Sequence, residues 1–364
     1  MSNFEKRRDN LRRLMRKQQL PALLVTSVPN VTYLTGFTGD SSYLLLTERE
    51  EVLLSDFRFI TQIEQECPGL TMEIRPRTVS QAEAVGKLAK QFKLSRMGVE
   101  SASLSVKQYE AFREKMAEVE LVSTSDLVET LREVKEKGEV ELIRQAIRIA
   151  ERAIEVVRAS LTPQSTEKEL ADMIDHQIRL FGGTGCSFPP IVGVGPTAAL
   201  PHATPGSARV EESGLLLIDW GARAEQYISD LTRTFATAKI SPKLERIYGL
   251  VFTAQQRAIE QIRPGALLRE VDAAARKVIA AGGHDKHFGH GLGHGIGLQV
   301  HEAPGITSQG DKTLKAGMVI TVEPGIYLPG WGGIRIEDDI LVTRDGHEVL
   351  SSSPKLLEEC LIRW

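Results

Sequence analysis

The sequence has few cysteines and no pattern that would join them. Its 364 residues include three, Cys67, Cys186 and Cys360, which are far apart and form no Cys-x-x-Cys motif. This odd, scattered set predicts neither a disulfide framework nor a thiolate metal site, and it fits a reducing cytoplasm. Long apolar runs are also missing, because none reaches the roughly 18 residues of a membrane span, and the first residues lack the apolar core of a secretory signal. We therefore expect a cytoplasmic protein with no membrane partner.

A strong charge of either sign is absent as well. The chain carries 45 Lys and Arg against 48 Asp and Glu, a net charge of −3, so no overall basic field would attract nucleic acid. Hydrophobic residues make up 41% and charged residues 26%, as in globular chains with packed cores. At about 150 residues per domain, the length predicts two or three domains.

Two regions differ in their patterning. Short apolar runs such as Ala22–Val25 alternate with helical segments up to about Leu127, which predicts a small α/β domain whose basic first helix, Phe4 to Gln19, has a solvated charged face. A polar stretch near Asp126–Lys137 precedes a long helical pattern. We place the domains at residues 1–130 and 131–364.

The second region contains a repeated design. Pro163 precedes a helix that begins with the capping box Thr166-x-x-Glu169 and ends at Gly182-Gly183. Pro264, 101 positions after Pro163, precedes a similar segment that ends at Gly282-Gly283. Either an internal duplication or common helix punctuation would give this match. A duplication would place a site between two similar halves.

Carboxylates stand at the ends of apolar strands in this region. Asp219 follows Leu215–Ile218, and Asp230 lies eleven positions further, a span that a hairpin can fold so that both carboxylates meet. Glu323 similarly follows Val319–Val322, and Glu337 follows Ile336. Because burying such carboxylates is costly without compensation, the pattern indicates bound cations.

Histidines and glycines concentrate nearby. Five of the eight histidines lie between His284 and His301, around the run Gly289-His290-Gly291-Leu292-Gly293-His294-Gly295. We interpret the alternating glycines as bringing the backbone close to a ligand, and the histidines as a metal or proton-transfer site. Four carboxylates and one imidazole would neutralise and hold two divalent cations, which can activate water and polarise a carbonyl. The combination predicts a hydrolase.

These motifs resemble the M24 metallopeptidases, the group of methionine aminopeptidase, aminopeptidase P and prolidase. Besides the strand-end carboxylates, the resemblance rests on Pro201-His202-Ala203, Glu323-Pro324-Gly325-Ile326-Tyr327 and Arg335-Ile336-Glu337-Asp338. The N-terminal half resembles the creatinase-type domain of the proline-specific branch. The resemblance implies an α/β (α+β) chain with a C-terminal pita-bread fold and a smaller creatinase-type N-terminal domain.

The resemblance also implies roles for individual residues. It implies two divalent ions, with Mn²⁺ expected and Co²⁺ or Zn²⁺ as alternatives, and a homodimer. It makes Glu323, His202 and His301 catalytic, with Glu323 as general base and the two histidines steadying the tetrahedral intermediate, and it places His290, Tyr327 and Arg335 at the substrate. The implied metal ligands are Asp219, Asp230, His294, Glu323 and Glu337.

Three functions remain after these comparisons of motifs. Our leading expectation is an Xaa-Pro aminopeptidase, which acts on peptides with proline at the second position. The alternative is a prolidase, restricted to Xaa-Pro dipeptides, which needs a cation such as Arg335 for the substrate's free carboxylate. A non-catalytic pseudo-peptidase that only binds is a third interpretation, but the complete ligand set favours catalysis.

Overall fold

The computed structural model describes residues 3–237 and 239–363. Their Cα positions divide the chain into two compact units, Met1–Arg132 and Glu133–Trp364. Both units mix helices with sheets, as the sequence predicts. Within the described ranges, no helix combines the length and apolar character needed to cross a membrane.

The first unit is built on one mixed sheet. Its strands are β1 (Ala22–Val25), β2 (Tyr43–Thr47), β3 (Glu51–Asp56), β4 (Thr71–Arg75), β5 (Arg96–Glu100) and β6 (Glu120–Thr124), in the order β4-β3-β2-β1-β5-β6. Its helices are α1 (Asn3–Lys17), α2 (Val28–Thr35), α3 (Ile60–Glu66), α4 (Gln81–Gln91), α5 (Val106–Lys115) and α6 (Leu127–Arg132). Central β1 is apolar and buried along its whole length, so helices cover the sheet there.

The basic face of α1 is not wholly solvated, contrary to our expectation. Arg8 is 8% exposed and donates two hydrogen bonds of 2.8 Å to the carboxylate of Glu51, while its Nη1 donates to the carbonyl of Leu34. Arg12 also donates to Glu51. These arginines attach α1 to β3 because a guanidinium can bridge a carboxylate and a carbonyl at once.

The second unit contains longer helices and several small sheets. Its helices are α7 (Lys137–Ser160), α8 (Glu167–Leu180), α9 (Pro242–Ile259) and α10 (Leu268–Ala281). Its strands are β7 (Gly185–Cys186), β8 (Ile191–Val194), β9 (Leu215–Trp220), β10 (Ala222–Ala224), β11 (Tyr227–Ile228), β12 (Leu231–Ala236), β13 (Gly293–Gly295), β14 (Glu302–Ile306), β15 (Val319–Val322), β16 (Gly325–Leu328), β17 (Gly332–Arg335), β18 (Asp338–Val342) and β19 (His347–Val349).

Two helix pairs each cover a sheet in this unit. α7 and α8 share an apolar core with the sheet β12-β9-β8, and α9 and α10 share another with the sheet β14-β13-β15-β18-β19. α10 begins and ends 101 positions after α8 begins and ends, which is the spacing of the sequence repeat. α8 starts at the predicted capping box, where Thr166 Oγ1 accepts from the Glu169 N–H at 3.2 Å. The unit therefore has two similar helix-on-sheet halves.

Candidate metal centre and active-site cavity

A cavity of about 550 Å³ lies in the second unit. Both sheets contribute to its wall, and its size falls in the range of small-molecule sites. Nearly all of the site residues predicted from the sequence line it, namely Asp219, Asp230, His294, Glu323, Glu337, His202, His301, His290 and Arg335. Tyr327 is the exception, because it is buried and lies outside the lining.

The first half of the unit supplies two carboxylates. β9 and β12 pair antiparallel with Asp219 opposite Thr232, and Asp230 stands directly before β12. This register brings the two aspartates together as the eleven-residue spacing predicts. They are only 8% and 4% exposed. The backbone N–H of Asp230 donates to Oδ2 of Asp339 at 3.2 Å, which fixes the chain at this ligand.

The second half supplies the imidazole and two glutamates. His294 is the central residue of β13, Glu323 follows β15, and Glu337 lies between β17 and β18. His294 Nε2 is 3.4 Å from Glu323 Oε1 and 3.7 Å from Asp230 Oδ2. One donor atom each of Asp230, His294 and Glu337 fit within 4.8 Å of one another. Five side chains from five separate segments thus line the same cavity, and three of them lie within reach of one ion.

The electrostatics of this cluster call for a cation. Burial, and after it the charge of neighbouring carboxylates, raises the pKa values of Asp230 and Glu337 well above their ordinary range. Burial also raises the pKa of Glu323 to about 8 and lowers that of His294 to about 4, which keeps the imidazole neutral and able to ligate. Oδ1 of Asp219 is buried with no hydrogen-bond partner in the described part of the chain. These donors fit divalent ions, which would compensate the repulsion and use the orphaned oxygen.

Arg335 is fully engaged by protein groups. Its Nη2 donates to Asp219 Oδ2 at 2.6 Å, its Nη1 to the Tyr327 hydroxyl at 2.7 Å and its Nε to Thr232 Oγ1 at 3.0 Å. The guanidinium therefore orients a candidate metal ligand. This leaves it poorly placed to grip a substrate carboxylate, the role a prolidase was expected to give it.

Tyr327 connects Arg335 to His290. Burial raises the pKa of Tyr327 to about 12, so its hydroxyl keeps its proton and can donate to His290 Nε2 at 2.9 Å while accepting from Arg335. His290 Nδ1 lies 2.8 Å from the carbonyl oxygen of Gly291 and must carry the ring proton. Burial lowers the pKa of His290 to about 4, in agreement with this neutral tautomer.

His202 and His301 are exposed and line the cavity. The His301 ring meets that of His294 edge-on, with ring centroids 4.4 Å apart. Their position gives them access to a ligand in the cavity without displacing a buried group. The predicted roles of both histidines remain proposals.

The alternating glycines have a different cause from the one expected. A Cβ atom on Gly293 would lie 2.1 Å from the carbonyl oxygen of Thr321, and one on Gly295 would lie 2.3 Å from that of Ala303. β14 and β15 flank β13 at these points. The absence of a side chain at these glycines therefore lets β14 and β15 pack closely against β13. This close packing holds His294 in place.

Sequence reasoning missed an apolar part of the cavity wall and a supporting threonine. Phe188, Pro189, Pro190 and Ile191 line the cavity. In the sequence these four residues form an apolar run with two prolines that leads into β8. The run contains no side chain of a catalytic type, so the sequence did not indicate a role in the site. Thr232 donates to Glu337 Oε2 at 2.5 Å, and its position two residues after Asp230 is the strand-period signal that was available.

Comparison with known proteins connects this geometry to a family. The model of metallopeptidase family M24 matches residues 141–344, and the model of the creatinase/prolidase N-terminal domain matches residues 7–134. The chain belongs to metallopeptidase family M24. An Xaa-Pro dipeptidase from Bacillus anthracis has a structure with a TM-score of 0.94 and 36% identity, over 98% of this chain and 99% of that one.

Other M24 relatives also match nearly the whole chain. An Xaa-Pro dipeptidase of Pyrococcus horikoshii is 33% identical over 344 residues, 94% of this chain and 96% of the relative. An X-Pro aminopeptidase structure from Thermotoga maritima has a TM-score of 0.87 and 33% identity, over 94% of this chain and 99% of that one. The predicted fold class is confirmed: an M24 pita-bread unit follows a creatinase-type α/β unit, and the chain is a metallopeptidase.

Proposed function

We propose that this M24 metallopeptidase is an Xaa-Pro dipeptidase that uses two divalent ions. The observation that carries the proposal is the convergence of four carboxylates and one neutral imidazole on a single cavity. The ligands would be Asp219, Asp230, His294, Glu323 and Glu337. When bound, the two ions would polarise the scissile carbonyl and lower the pKa of a water molecule.

The protein groups have separate tasks in this proposal. Arg335 holds Asp219, and Thr232 holds Glu337, so each carboxylate meets its ion in a fixed orientation. Glu323 follows β15 beside His294 and is the candidate general base, because its side chain is the most exposed of the four carboxylates. His202 and His301 are the candidate donors to the oxyanion.

The names of relatives support dipeptidase over aminopeptidase activity more than the cavity does. Two close relatives carry the name Xaa-Pro dipeptidase, which favours the alternative over our leading expectation. The X-Pro aminopeptidase from Thermotoga maritima keeps the aminopeptidase as a second candidate. Because Arg335 is engaged elsewhere, we propose that a ring N–H of His202 or His301 donates to the carboxylate of the dipeptide.

Substrate length tests the proposal directly. The purified protein would be given Gly-Pro and a longer Gly-Pro-Pro peptide, each with added Mn²⁺, Co²⁺ or Zn²⁺. We expect the higher kcat/KM for Gly-Pro. Faster cleavage of the longer peptide would show an aminopeptidase instead, and failure to cleave either with any of the ions would favour the pseudo-peptidase.

A matched variant guards against a contaminating peptidase. Glu323→Gln retains the size of the side chain but removes the general base and one charged ligand, so we expect it to lose almost all activity. Gly-Ala serves as the substrate control for the proline requirement. Activity that survives Glu323→Gln unchanged would contradict the assignment of this cavity.

We further propose Mn²⁺ as the working ion, a homodimer and a cytoplasmic location. Oxygen-rich ligand sets suit Mn²⁺, although Co²⁺ and Zn²⁺ also bind them. The described residues include all three cysteines, which are unpaired and thus compatible with a reducing compartment. Metal analysis of protein purified without added ions, light scattering and cell fractionation would test these three points.

A further inference from the structure

A buried ion pair lies on the opposite side of Glu337 from the cavity. Arg233 Nη2 donates to Asp338 Oδ1 at 2.8 Å, and both side chains are 1% exposed. Asp338 immediately follows Glu337, and Arg233 immediately follows Thr232. Since successive residues of extended chain face opposite sides, this pair lies directly behind the residues that face the candidate metal centre.

Arg233 holds the main chain of the candidate ligand. Its Nη1 donates to the carbonyl oxygens of Glu337 and Thr232, and the N–H of Glu337 donates to the carbonyl of Thr232 at 3.1 Å. Thr232 Oγ1 meanwhile donates to the Glu337 carboxylate. The backbone and the side chain of Glu337 are therefore fixed by two adjacent residues of β12.

A segment near the C-terminus completes this arrangement. We call Ser351–Lys355 the C-terminal segment. Arg233 donates to the carbonyls of Ser353, at 2.7 Å, and Pro354, at 3.0 Å. Ser351 Oγ donates to Asp338 at 2.7 Å, and Lys355 Nζ forms an ion pair with the same carboxylate.

The segment is also held from α7. Glu151 accepts from the N–H of Ser353 at 2.6 Å and from the hydroxyl of Ser352 at 2.8 Å. The segment is thus anchored on both sides, and its carbonyls use donors of Arg233 that would otherwise be buried without partners. Leaving such donors unpaired in the interior costs free energy, so the C-terminal segment stabilises the buried position of Arg233.

We propose that Arg233 is a positioning residue for the metal ligand Glu337, and that the C-terminal segment keeps Arg233 in its working orientation. The inference rests on the proposed role of Glu337. It extends the metal site to Arg233 and the C-terminal segment, which do not line the cavity. The segment lies more than a hundred positions from β12 in the sequence. Partners of metal ligands commonly change metal affinity by about 10–100-fold when they are altered.

Cobalt binding by the metal-stripped full chain tests this inference. Co²⁺ would be titrated while its visible absorption spectrum, which depends on ligand geometry, is recorded. Arg233→Lys keeps the charge but cannot supply the several fixed donors of a guanidinium. We expect it to bind Co²⁺ about 10–100-fold more weakly and to change the spectrum.

A second variant keeps the test decisive if Arg233→Lys fails to fold. Lys355→Met removes the ion pair with Asp338 and a hydrogen bond to Gln255, from a side chain that is 22% exposed, and should weaken Co²⁺ binding by about tenfold. Lys355→Arg should restore the affinity. Val157→Ala, in the α7–α8 core, controls for a general loss of stability and should bind Co²⁺ like the parent.

The outcomes separate this inference from the assignment of the site. Glu337→Gln should weaken Co²⁺ binding whatever Arg233 does. If it does so while Arg233→Lys, or Lys355→Met in its place, retains the parent's affinity and spectrum, the positioning role is wrong and the site assignment stands. If Glu337→Gln also binds like the parent, then Glu337 is not a ligand and both proposals are wrong.

Discussion

Arg335 restricts the orientation of Asp219, a candidate metal ligand. The carboxylate offers Oδ2 to the guanidinium and leaves Oδ1 buried without a partner in the described structure. One oxygen is thus committed and the other is available to an ion. Burial raises the pKa of Asp219, and the positive charge of Arg335 and its hydrogen bond oppose this effect.

We predict that Arg335→Lys weakens metal binding by about 10–100-fold, because a lysine cannot bond Asp219, Tyr327 and Thr232 at the same time. Metal content after dialysis and the Mn²⁺ dependence of kcat would measure the loss. Arg257→Lys, an exposed arginine paired with Glu260, is the matched control. An unchanged Mn²⁺ dependence in Arg335→Lys would show that Asp219 does not need this partner.

At the level of secondary-structure elements, the loop between β13 and β14 is held by one glutamate. Glu302 Oε1 accepts from the N–H groups of Leu298, at 2.8 Å, and Gln299, at 3.1 Å. Its Oε2 pairs with Lys135 at 3.2 Å, and the two side chains are 5% and 1% exposed. A Cβ on Gly297 would lie 2.7 Å from this carboxylate, so a larger residue there would displace the Glu302 side chain. The loop that this glutamate folds carries Val300 and His301 to the cavity.

We predict that Lys135→Met mainly raises KM for Gly-Pro. Removing one member of a buried ion pair costs about 3–5 kcal/mol, and the loss falls on the loop that positions His301. Metal affinity should change little, since none of the proposed metal ligands belongs to the loop. Steady-state kinetics with thermal unfolding would measure both effects.

Lys312→Met provides the comparison for this change. Lys312 also pairs with a buried glutamate of the same unit, Glu133, at 2.8 Å, but its own side chain is 63% exposed. We expect it to leave KM unchanged. A KM for Lys135→Met that equals that of the parent would mean that the loop keeps its conformation without the ion pair, or that His301 does not contact substrate.

The same elements show what the sequence could and could not predict. Strand ends, strand period and the capping box follow from local pattern, so the convergence of Asp219 with Asp230 and the start of α8 were predictable. Contacts such as Arg233 with Ser353 depend on how distant segments meet, which no local period encodes. The glycines of β13 show a related limit, because their spacing indicates close approach without saying what approaches.

At the scale of the whole molecule, charge is distributed unevenly, because a chain with a small net charge contains a strongly acidic cavity. The chain as a whole carries −3, yet Asp219, Asp230, Glu323 and Glu337 line one cavity. Without a cation their folded-state pKa values are raised above those of an unfolded chain, which are near 4. At a pH between the unfolded-state and the folded-state pKa values of these carboxyl groups, the folded state therefore binds more protons than the unfolded state.

This difference predicts how the metal-free protein responds to pH. A raised carboxyl pKa contributes stability that is complete below the unfolded value and is lost as the pH rises through the folded value. For Glu323 that value is about 8. We therefore predict that the melting temperature of the chelator-treated protein falls as the pH rises from about 6.5 to about 8, whereas protein saturated with Mn²⁺ shows little or none of this fall, because the ions favour the ionised carboxylates.

Calorimetry on both forms across this interval would measure the effect. Carboxyl groups with lowered pKa values, such as Asp56 and Asp338, lose their stabilisation at lower pH. The lowered pKa values of His290 and His294 add stability only as the pH rises to about 6.5, the value of an unfolded histidine, so neither kind of group masks the trend above that pH. Glu337→Gln removes one of the mutually repelling charges and should flatten the slope of the metal-free protein. If the metal-free melting temperature stays constant or rises toward pH 8, the carboxylates do not repel one another as the geometry requires. The need for cations would then have to come from substrate chemistry rather than from the folded chain itself.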